Sequence, residues 1–173
     1  NDKYLGSFGH FGCYSFHETK NYICGEGGAL AINDKRFIER AHIIRDKGTN
    51  RQSFLRGETD KYTWVDIGSS YFPSELCSAF LWAQLEILEE IAKKRTAIYH
   101  IYRQLPKPLE VQGLLRLPCT PEDCESNFHM FYVIVNDSKT RRDLLDSLCD
   151  QEITAVFHFV PLHSSPQGAC FAN

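Results

Sequence analysis

The sequence lacks a long apolar run, a basic stripe and a CxxC pair. The first two features are typical of membrane-spanning and nucleic-acid-binding proteins. Its longest apolar runs, such as residues 130–135, are far too short to span a bilayer. Its 19 Lys and Arg residues are scattered and the net charge is -3, so the basic stripe of a nucleic-acid-binding protein is absent. No CxxC pair occurs. The sequence therefore predicts neither a membrane-spanning protein nor a nucleic-acid-binding one.

The cysteines do not follow the pattern of a secreted disulfide scaffold. There are seven of them, an odd number, and several lie inside apolar runs. This usage predicts reduced, mostly buried thiols in a cytoplasmic protein. Cys119 and Cys124 could join His158 and His163 in a zinc site, but their spacing fits no tight ligand motif, and no metal is predicted.

The remaining composition is that of an ordinary globular protein. A chain of 173 residues can bury roughly 70% of its unfolded surface, which predicts a sizeable core. It begins with Asn rather than Met and ends with CFAN. We therefore expect it to be a piece of a longer chain.

Strand and helix patterns alternate along the sequence. The first part predicts strands at 11–16 and 28–33, a helix that Asn33-Asp34 caps and Gly48 ends, and a long polar loop at 49–70. The second part predicts a helix over 75–104, a strand at 128–135, a helix at 139–149 and a strand at 153–158. Such alternation is typical of the α/β class. A change of composition along the long helix predicts a domain boundary near residue 89.

The stretch SFHETKNYICGEGGAL places Lys20 between two apolar strands. A lysine in water has a pKa of about 10.4 and is a poor nucleophile. Desolvation or a nearby cation lowers that pKa, and the amine can then form a Schiff base. Hydroxyl groups and glycine amides around Lys20 suit an anion. On composition alone, a solvated lysine in a hairpin turn is the favoured alternative, and GEGG is not a GxGxxG nucleotide fingerprint.

The run GHFGCYSFHETKNYICGEGGALAINDK resembles the pyridoxal-phosphate lysine motif of the DegT-type nucleotide-sugar aminotransferases, which share the aspartate aminotransferase fold. The matching positions are Gly9, Gly12, Ser15, Phe16, Lys20, Gly25, Glu26, Gly27 and Gly28. The match continues through IIRDKGTNRQSFLRGETDKYTWVDIGSSYFPSEL, HMFYVIV and AVFHFVPLHSSP. The resemblance implies that 1–88 is the C-terminal part of the cofactor-binding large domain of this type I fold. It also implies that 89–173 is a truncated small α/β domain.

The resemblance assigns roles around the lysine. Lys20 would be the Schiff-base lysine and later the base that moves a proton between cofactor and substrate. Ser15 would donate its hydroxyl to the cofactor phosphate, and His17 would line the pocket. Glu26 would shape the loop behind Lys20, with a fold-holding salt bridge as an even alternative.

In the resembling family the active site lies between two subunits, which implies a homodimer or larger assembly. Ser69, Ser70 and Tyr71 would reach into the partner's site, the serines towards the cofactor phosphate and the tyrosine towards the substrate. Relatives often supply an Asn just after that Tyr, whereas this chain has Phe72. Ser69 or Ser70 would then replace the missing phosphate contact.

The substrate-binding candidates lie further along the chain. His158 and His163 resemble a late His-Tyr-x-Pro-Leu-His element near the sugar site, with Phe159 in place of Tyr. The alternative for either histidine is an ordinary packed imidazole. Arg51 and Arg56 are candidates for binding the glutamate carboxylate, because Arg offers a bidentate fork, although solvated loop arginines are equally expected.

The resemblance implies transfer of an amino group from L-glutamate to a nucleotide sugar. FHETKN, DKYTW, DIGSSY and AVFHFVPLH look like one subgroup, which acts on a dTDP-4-keto-6-deoxy sugar in cell-surface polysaccharide synthesis. Two alternatives remain: a sugar dehydratase of the same fold, which would carry His in place of Lys20, and a catalytically silent sugar-nucleotide-binding or regulatory relative. Most cofactor contacts of the family would precede Asn1, so we expect this chain alone to be inactive.

Overall fold

The computed structural model describes residues 3–171, which divide into two compact units. The first unit comprises the described residues up to Ile101 together with Thr120–Phe131. The second comprises Tyr102–Cys119 and the described residues from Tyr132 onward. Mixed helices and strands agree with the predicted α/β class. The domain boundary at 88/89 stays a prediction.

The first unit opens with an antiparallel hairpin. Strand β1 (Phe11–Ser15) pairs with β2 (Gly28–Ile32), with Phe11 opposite Ile32 and Ser15 opposite Gly28. Both predicted strands are thus confirmed. The pairing requires glycine at position 28, because a Cβ there would lie 2.8 Å from the Tyr14 carbonyl oxygen. The twelve residues from Phe16 to Gly27 form the loop that carries Lys20.

A helix follows the hairpin, as the capping residues predict. The Asp34 carboxylate accepts a hydrogen bond from the Arg36 amide at 3.0 Å and begins a short 3-10 helix, Lys35–Phe37, which continues into α1 (Ile38–Arg45). The helix ends in a turn in which Lys47 and Gly48 both have positive φ, 60° and 77°. Glycine at position 48 thus marks the stop that the sequence predicts.

The segment 49–70 is more structured than the predicted loop. It contains helix α2 (Arg51–Leu55) and two isolated antiparallel bridges, Asp46 with Ser70 and Thr49 with Trp64. The bridges bring the end of this segment back to the turn after α1.

The predicted helix over 75–104 is in fact two helices, α3 (Glu75–Glu86) and α4 (Leu88–Gln104). Ser74 caps α3 by accepting a hydrogen bond from the Cys77 amide at 3.2 Å. Ile87 leaves helical geometry at φ -112° and ψ 23°. Apolar residues continue on both sides of Ile87, so the periodicity gives no sign of this one-residue break.

The second unit holds short elements. Helix α5 (Lys107–Val111) precedes β3 (Leu115–Arg116), which pairs antiparallel with β4 (Ile134–Val135), and α6 (Ser138–Cys149) follows. A 3-10 helix (Leu162–Ser164) and α7 (Pro166–Ala169) come last. The predicted helix at 139–149 is confirmed, and Asp137 caps it.

Two strand predictions need correction. Of 128–135 only β4 is a strand, and 153–158 contains none. A strand is defined by hydrogen bonds to a neighbour, and the described residues offer these segments no further partner strand. Their apolar, β-branched composition predicts a strand without saying what it pairs with.

The core is smaller than the composition predicts. The buried apolar side chains of the described residues are Cys24, Tyr99, Leu115 and Leu117. Helix α3 buries none of its residues, and Leu76 and Trp82 are 84% and 66% exposed. In residues 3–171 no helix is long and apolar enough to cross a membrane.

Candidate active site

The loop between β1 and β2 holds Lys20 in a tight turn. Its amide donates to the His17 carbonyl at 2.9 Å. Around this turn the Phe16 amide donates to the Gly27 carbonyl at 2.8 Å, and the Glu18 amide donates to the Gly25 carbonyl at 3.0 Å. The hairpin pairing therefore continues into the base of the loop, and Lys20 lies half-buried at its far end.

Side chains from distant parts of the first unit anchor the same loop. The Ile23 amide donates to Gln84 Oε1 of α3 at 3.1 Å. Asn21, the residue after the lysine, donates through Nδ2 to the Asn127 carbonyl at 2.8 Å. Its Oδ1 lies 2.9 Å from His129 Nδ1. The lysine turn is therefore held from two sides.

His129 is a half-buried imidazole with a defined proton position. Asn21 Nδ2 faces a carbonyl, so Asn21 Oδ1 is the acceptor, and His129 Nδ1 carries the hydrogen between them. Burial lowers the pKa of His129 below 6.5, and the positive charges of Lys20 and Arg95 lower it further. The ring is therefore neutral at neutral pH. Arg95 Nη1 also donates to the His129 carbonyl at 3.2 Å.

A second cluster lies on the strand side of Lys20. His17 Nε2 is 3.6 Å from Glu26 Oε1, and His17 Nδ1 is 3.1 Å from Thr19 Oγ1. The His17 amide points to Ser15 Oγ at 3.4 Å. Glu26 thus makes an ion pair when His17 is protonated, but it is a weak one because the Glu26 side chain is 86% exposed.

The glycines of GEGG have different structural roles. At Gly27 a Cβ would collide with Cys24 Sγ, and at Gly28 it would press on the Tyr14 carbonyl. Gly25 has a φ of +80°, and no atom lies within 4 Å of where its Cβ would be. Packing of the hairpin thus explains the last two glycines, and only Gly25 leaves open space beside the backbone.

The segment Ser69-Ser70-Tyr71 is fixed against the end of α1. The Ser69 amide donates to the Ile44 carbonyl at 3.0 Å, and the Tyr71 amide donates to the Arg45 carbonyl at 3.1 Å. The Tyr71 side chain is 65% exposed. Next to it, the Arg45 guanidinium lies 4.5 Å from the centre of the Phe72 ring. The backbone of this segment is therefore ordered, while its tyrosine faces solvent.

The two arginines predicted to bind a carboxylate already have carboxylate neighbours in the chain. Arg51 Nη1 lies 3.7 Å from Asp46 Oδ2. Arg56 donates to Glu58 at 2.7 Å and to Glu39 at 3.1 Å, and this hydrogen bonding lowers the pKa of Glu58. Arg51 thus has one carboxylate neighbour beyond hydrogen-bond distance, whereas Arg56 is hydrogen-bonded to two carboxylates. Arg51 is therefore the better candidate for binding a substrate carboxylate.

His158 and His163 belong to the second unit, and both are exposed. The His158 ring meets the Phe159 ring edge-on, with centres 5.3 Å apart. His163 lies in the 3-10 helix Leu162–Ser164. Across residues 3–171, no three His, Cys, Asp or Glu side chains are grouped so that they could hold a metal ion.

Comparison with known sequences decides the family. The sequence model of the DegT/DnrJ/EryC1/StrS aminotransferase family matches residues 1–169, nearly the whole chain. The chain belongs to this family. The resemblance to the DegT-type family is therefore confirmed, and the roles of Lys20 and its neighbours stay predictions.

Individual relatives of this family are distant and longer. GDP-perosamine synthase of Escherichia coli O157:H7 is 26% identical over 95% of the chain, which spans 42% of that protein. The solved structure of S. venezuelae DesV is 29% identical over 95% of the chain, which spans 41% of it, with a TM-score of 0.71. The Streptococcus pneumoniae protein Spr1654 in its PLP-form, at 18% identity, has a TM-score of 0.81, and the chain spans 43% of it. The chain thus spans less than half the length of these relatives, and its fold is part of theirs.

The sequence singles out Lys20, Ser15 and His17 but not the residues that anchor their loop. The anchoring residues that the sequence does not single out are Gln84, Asn127, His129 and Arg95. The contacts of Asn21 with Asn127 and His129 join residues 106 and 108 positions apart. No local pattern reports such a pairing. The only available signal is the polar His129 within the apolar run FHMFY.

Proposed function

We propose that the intact protein is a pyridoxal-phosphate-dependent aminotransferase that moves an amino group from L-glutamate to a dTDP-4-keto-6-deoxy sugar. The observation that carries this proposal is Lys20, held at the tip of an anchored loop in a chain of an aminotransferase family. No carboxylate of residues 3–171 lies within ion-pair distance of its Nζ. The amine is therefore available to a ligand.

The residues around Lys20 fit this cofactor. The space beside Gly25 leaves the backbone approachable, and Ser15 lies on the strand that leads into the loop. Lys20 Nζ would hold the cofactor, Ser15 Oγ would donate to its phosphate, and His17 would lie beside it. When bound, the cofactor supplies an aldehyde that bonds to an amine and a ring that stabilises negative charge.

The chain's own residues would then bind, orient and move a proton. Lys20 Nζ takes and returns the proton at the substrate carbon, which requires an amine that is uncharged for part of the cycle. Ser69 and Ser70 would complete the phosphate site of a partner subunit in a homodimer. Tyr71, His158 and His163 would bind the sugar, and Arg51 the glutamate carboxylate.

The finer substrate assignment rests on the four short motifs that contain Lys20, Tyr62, Ser70 and His158. They support an enzyme of the dTDP-4-amino-4,6-dideoxygalactose transaminase type, within enterobacterial common antigen synthesis. The relative named GDP-perosamine synthase makes a product on a different nucleotide, so nucleotide choice has to be measured. All seven cysteines are free thiols, which supports a reducing, cytoplasmic location. Of the seven only Cys24 is buried, so the prediction of mostly buried thiols is wrong. Lys20 itself argues against the dehydratase alternative, in which His would stand at this position.

The test is chemical labelling of the intact protein. Borohydride reduction in the presence of pyridoxal phosphate, followed by peptide mapping, should leave a pyridoxyl group on Lys20. Lys20→Ala should lose the label and all amino transfer, whereas the control Lys93→Ala, at an exposed lysine of α4, should keep both. A label on another lysine, or none, would end the proposal. Assays with glutamate and a panel of dTDP-, UDP- and GDP-4-keto sugars then identify the acceptor.

A silent relative is distinguished in the same experiment. It would bind a nucleotide sugar without labelling at Lys20 and without consuming glutamate. That outcome would leave only the sugar-nucleotide-binding alternative.

A further inference from the structure

We propose that His129 is a positioning residue for Lys20 and acts through the side chain of Asn21. The proposal deepens the proposed function and rests on it, since the position of Lys20 Nζ matters only if that amine reacts. His129 touches neither cofactor nor substrate in this proposal. It fixes the peptide that carries the lysine.

The first step concerns Asn21, which follows Lys20 directly. Both ends of its amide are used: Nδ2 donates to the Asn127 carbonyl at 2.8 Å, and Oδ1 accepts from His129 Nδ1 at 2.9 Å. A side chain held at both ends has one orientation. Because residues 20 and 21 share a peptide bond, fixing Asn21 also restricts the backbone from which Lys20 extends.

The second step concerns the support beneath His129. Its amide donates to Asn127 Oδ1 at 3.2 Å, and its carbonyl accepts from Arg95 of α4 at 3.2 Å. The neighbouring Phe128 packs its ring 4.7 Å from that of Tyr99, which is 7% exposed. His129 is thus linked through Phe128 to Tyr99, one of the few buried side chains of the unit. This link restricts the movement of the loop that His129 contacts.

The third step is electrostatic. Among the described residues, the charged groups that act on His129 are Lys20 from the loop and Arg95 from α4, both cations. A neutral imidazole can donate to Asn21 without adding a third positive charge. Asparagine at position 129 would keep the donor and remove the titration, whereas alanine would remove both.

The experiment compares His129→Ala, His129→Asn and His100→Ala in the intact protein. His100 is a matched control, since it also contacts the Phe128 ring, at 5.5 Å, but is exposed and is not hydrogen-bonded to the loop. In the cofactor-free protein we expect His129→Ala to speed amide exchange at residues 20–24 by about fivefold, the factor expected for one lost hydrogen bond. His129→Asn and His100→Ala should exchange like the unaltered protein.

The kinetic readout separates positioning from binding. A displaced amine slows the chemical step, so we expect His129→Ala to lower kcat by roughly ten- to a hundredfold. The KM for the keto sugar should stay within about twofold, and His129→Asn should restore most of kcat. If His129→Ala does not fold, Asn21→Ala removes the same hydrogen bond from the loop side, together with the one to Asn127, and should give changes at least as large.

The outcomes distinguish this proposal from the proposed function. Unchanged loop exchange and unchanged kcat in both His129→Ala and Asn21→Ala would overturn the positioning role. Faster loop exchange in a protein that transfers no amino group to any sugar would leave the anchoring of Lys20 standing and reject the aminotransferase assignment.

Discussion

At the scale of single residues, Asp46 has the most demanding environment in the described chain. It is 3% exposed, and its Oδ2 has no hydrogen-bond partner. Arg51 lies at 3.7 Å, within ion-pair distance but beyond a hydrogen bond. A buried carboxylate without compensation is costly, so Arg51 has a structural task besides the substrate role proposed for it.

Arg51 therefore offers a clear prediction. Arg51→Ala should lower the free energy of unfolding by about 1–3 kcal/mol, because it leaves the Asp46 charge uncompensated. Arg51→Lys keeps the charge and should cost less. Chemical denaturation of both variants checks this, and the KM for glutamate is measured in parallel. If Arg51 also binds glutamate, Arg51→Lys will raise KM while stability stays close to that of the unaltered protein; an unchanged KM would leave it a structural residue.

His129 predicts a pH dependence of the lysine loop. Burial, Lys20 and Arg95 lower its pKa in the folded state, so the unfolded state binds a proton more readily as pH falls below 6.5. Stability of the loop should therefore be complete above that pH and decrease below it. Amide exchange at residues 20–24, corrected for intrinsic rates, should show this loss, and His129→Asn should remove it. Equal pH dependence in both proteins would contradict the prediction.

At the scale of helices and strands, the sequence predicts those that depend on residues close to them in the chain. The strands β1 and β2 follow from short apolar runs. Helix α6 follows from its capping aspartate, and α1 from the aspartate that caps the 3-10 helix leading into it. The break at Ile87 and the missing strand at 153–158 were not predicted. Leu85, Leu88 and Ile91 keep a helical spacing across Ile87, so the periodicity does not reveal the break. Strand formation depends on a neighbour elsewhere in the chain.

The residues of the candidate site also divide into those that the sequence predicts and those that it does not. The motif identified Lys20 and its immediate neighbours, because the residues that define it are consecutive. It did not identify Gln84, which is 61 positions from the Ile23 amide that it binds. Side-chain partners at such separations are set by tertiary packing, which no spacing rule contains.

The turn after α1 gives a prediction at this scale. Gly48 has a φ of 77°, and a Cβ there would collide with the Asp66 carbonyl oxygen. Gly57 has a φ of 75° but open space around its Cβ position. Gly57→Ala should therefore cost only the left-handed strain, about 1–2 kcal/mol. Gly48→Ala should cost roughly 1–3 kcal/mol more, because neighbouring backbone must move.

Denaturant unfolding of the two glycine variants measures the difference. Exchange at residues 69–71 gives a local check, since the turn at Gly48 lies beside their backbone hydrogen bonds. Equal costs for the two substitutions would show that the collision relaxes freely.

At the scale of the whole molecule, the distribution of apolar surface is the main feature. Leu76, Phe80 and Trp82 of α3 are 84%, 54% and 66% exposed. Exposed apolar groups of this size on one helix are typical of a surface that another chain or domain covers. The chain spans less than half the length of its relatives, which agrees with an intact protein that has further surface to place there.

The fluorescence of Trp82 tests whether another chain or domain covers α3. In the chain on its own, we expect acrylamide to quench Trp82 fluorescence efficiently and a hydrophobic dye to bind. In the intact protein Trp82 should be shielded, with quenching reduced severalfold. In the chain on its own Trp64→Phe isolates the Trp82 signal, because these are its two tryptophans. In the intact protein the difference between the unaltered protein and Trp82→Phe gives that signal. Equal quenching in both proteins would contradict a covered α3.

The hydrogen bond between Asn21 and His129 has a consequence for biosynthesis. Its two ends are 108 residues apart, and translation proceeds at about 5–20 residues per second, so the second end is made roughly 5 to 20 s after the first. During that interval the turn that carries Lys20 lacks the hydrogen bond between Asn21 and the His129 imidazole. A ribosome-stalled intermediate that ends before residue 129 should therefore expose this lysine to amine-reactive reagents more than the released protein does.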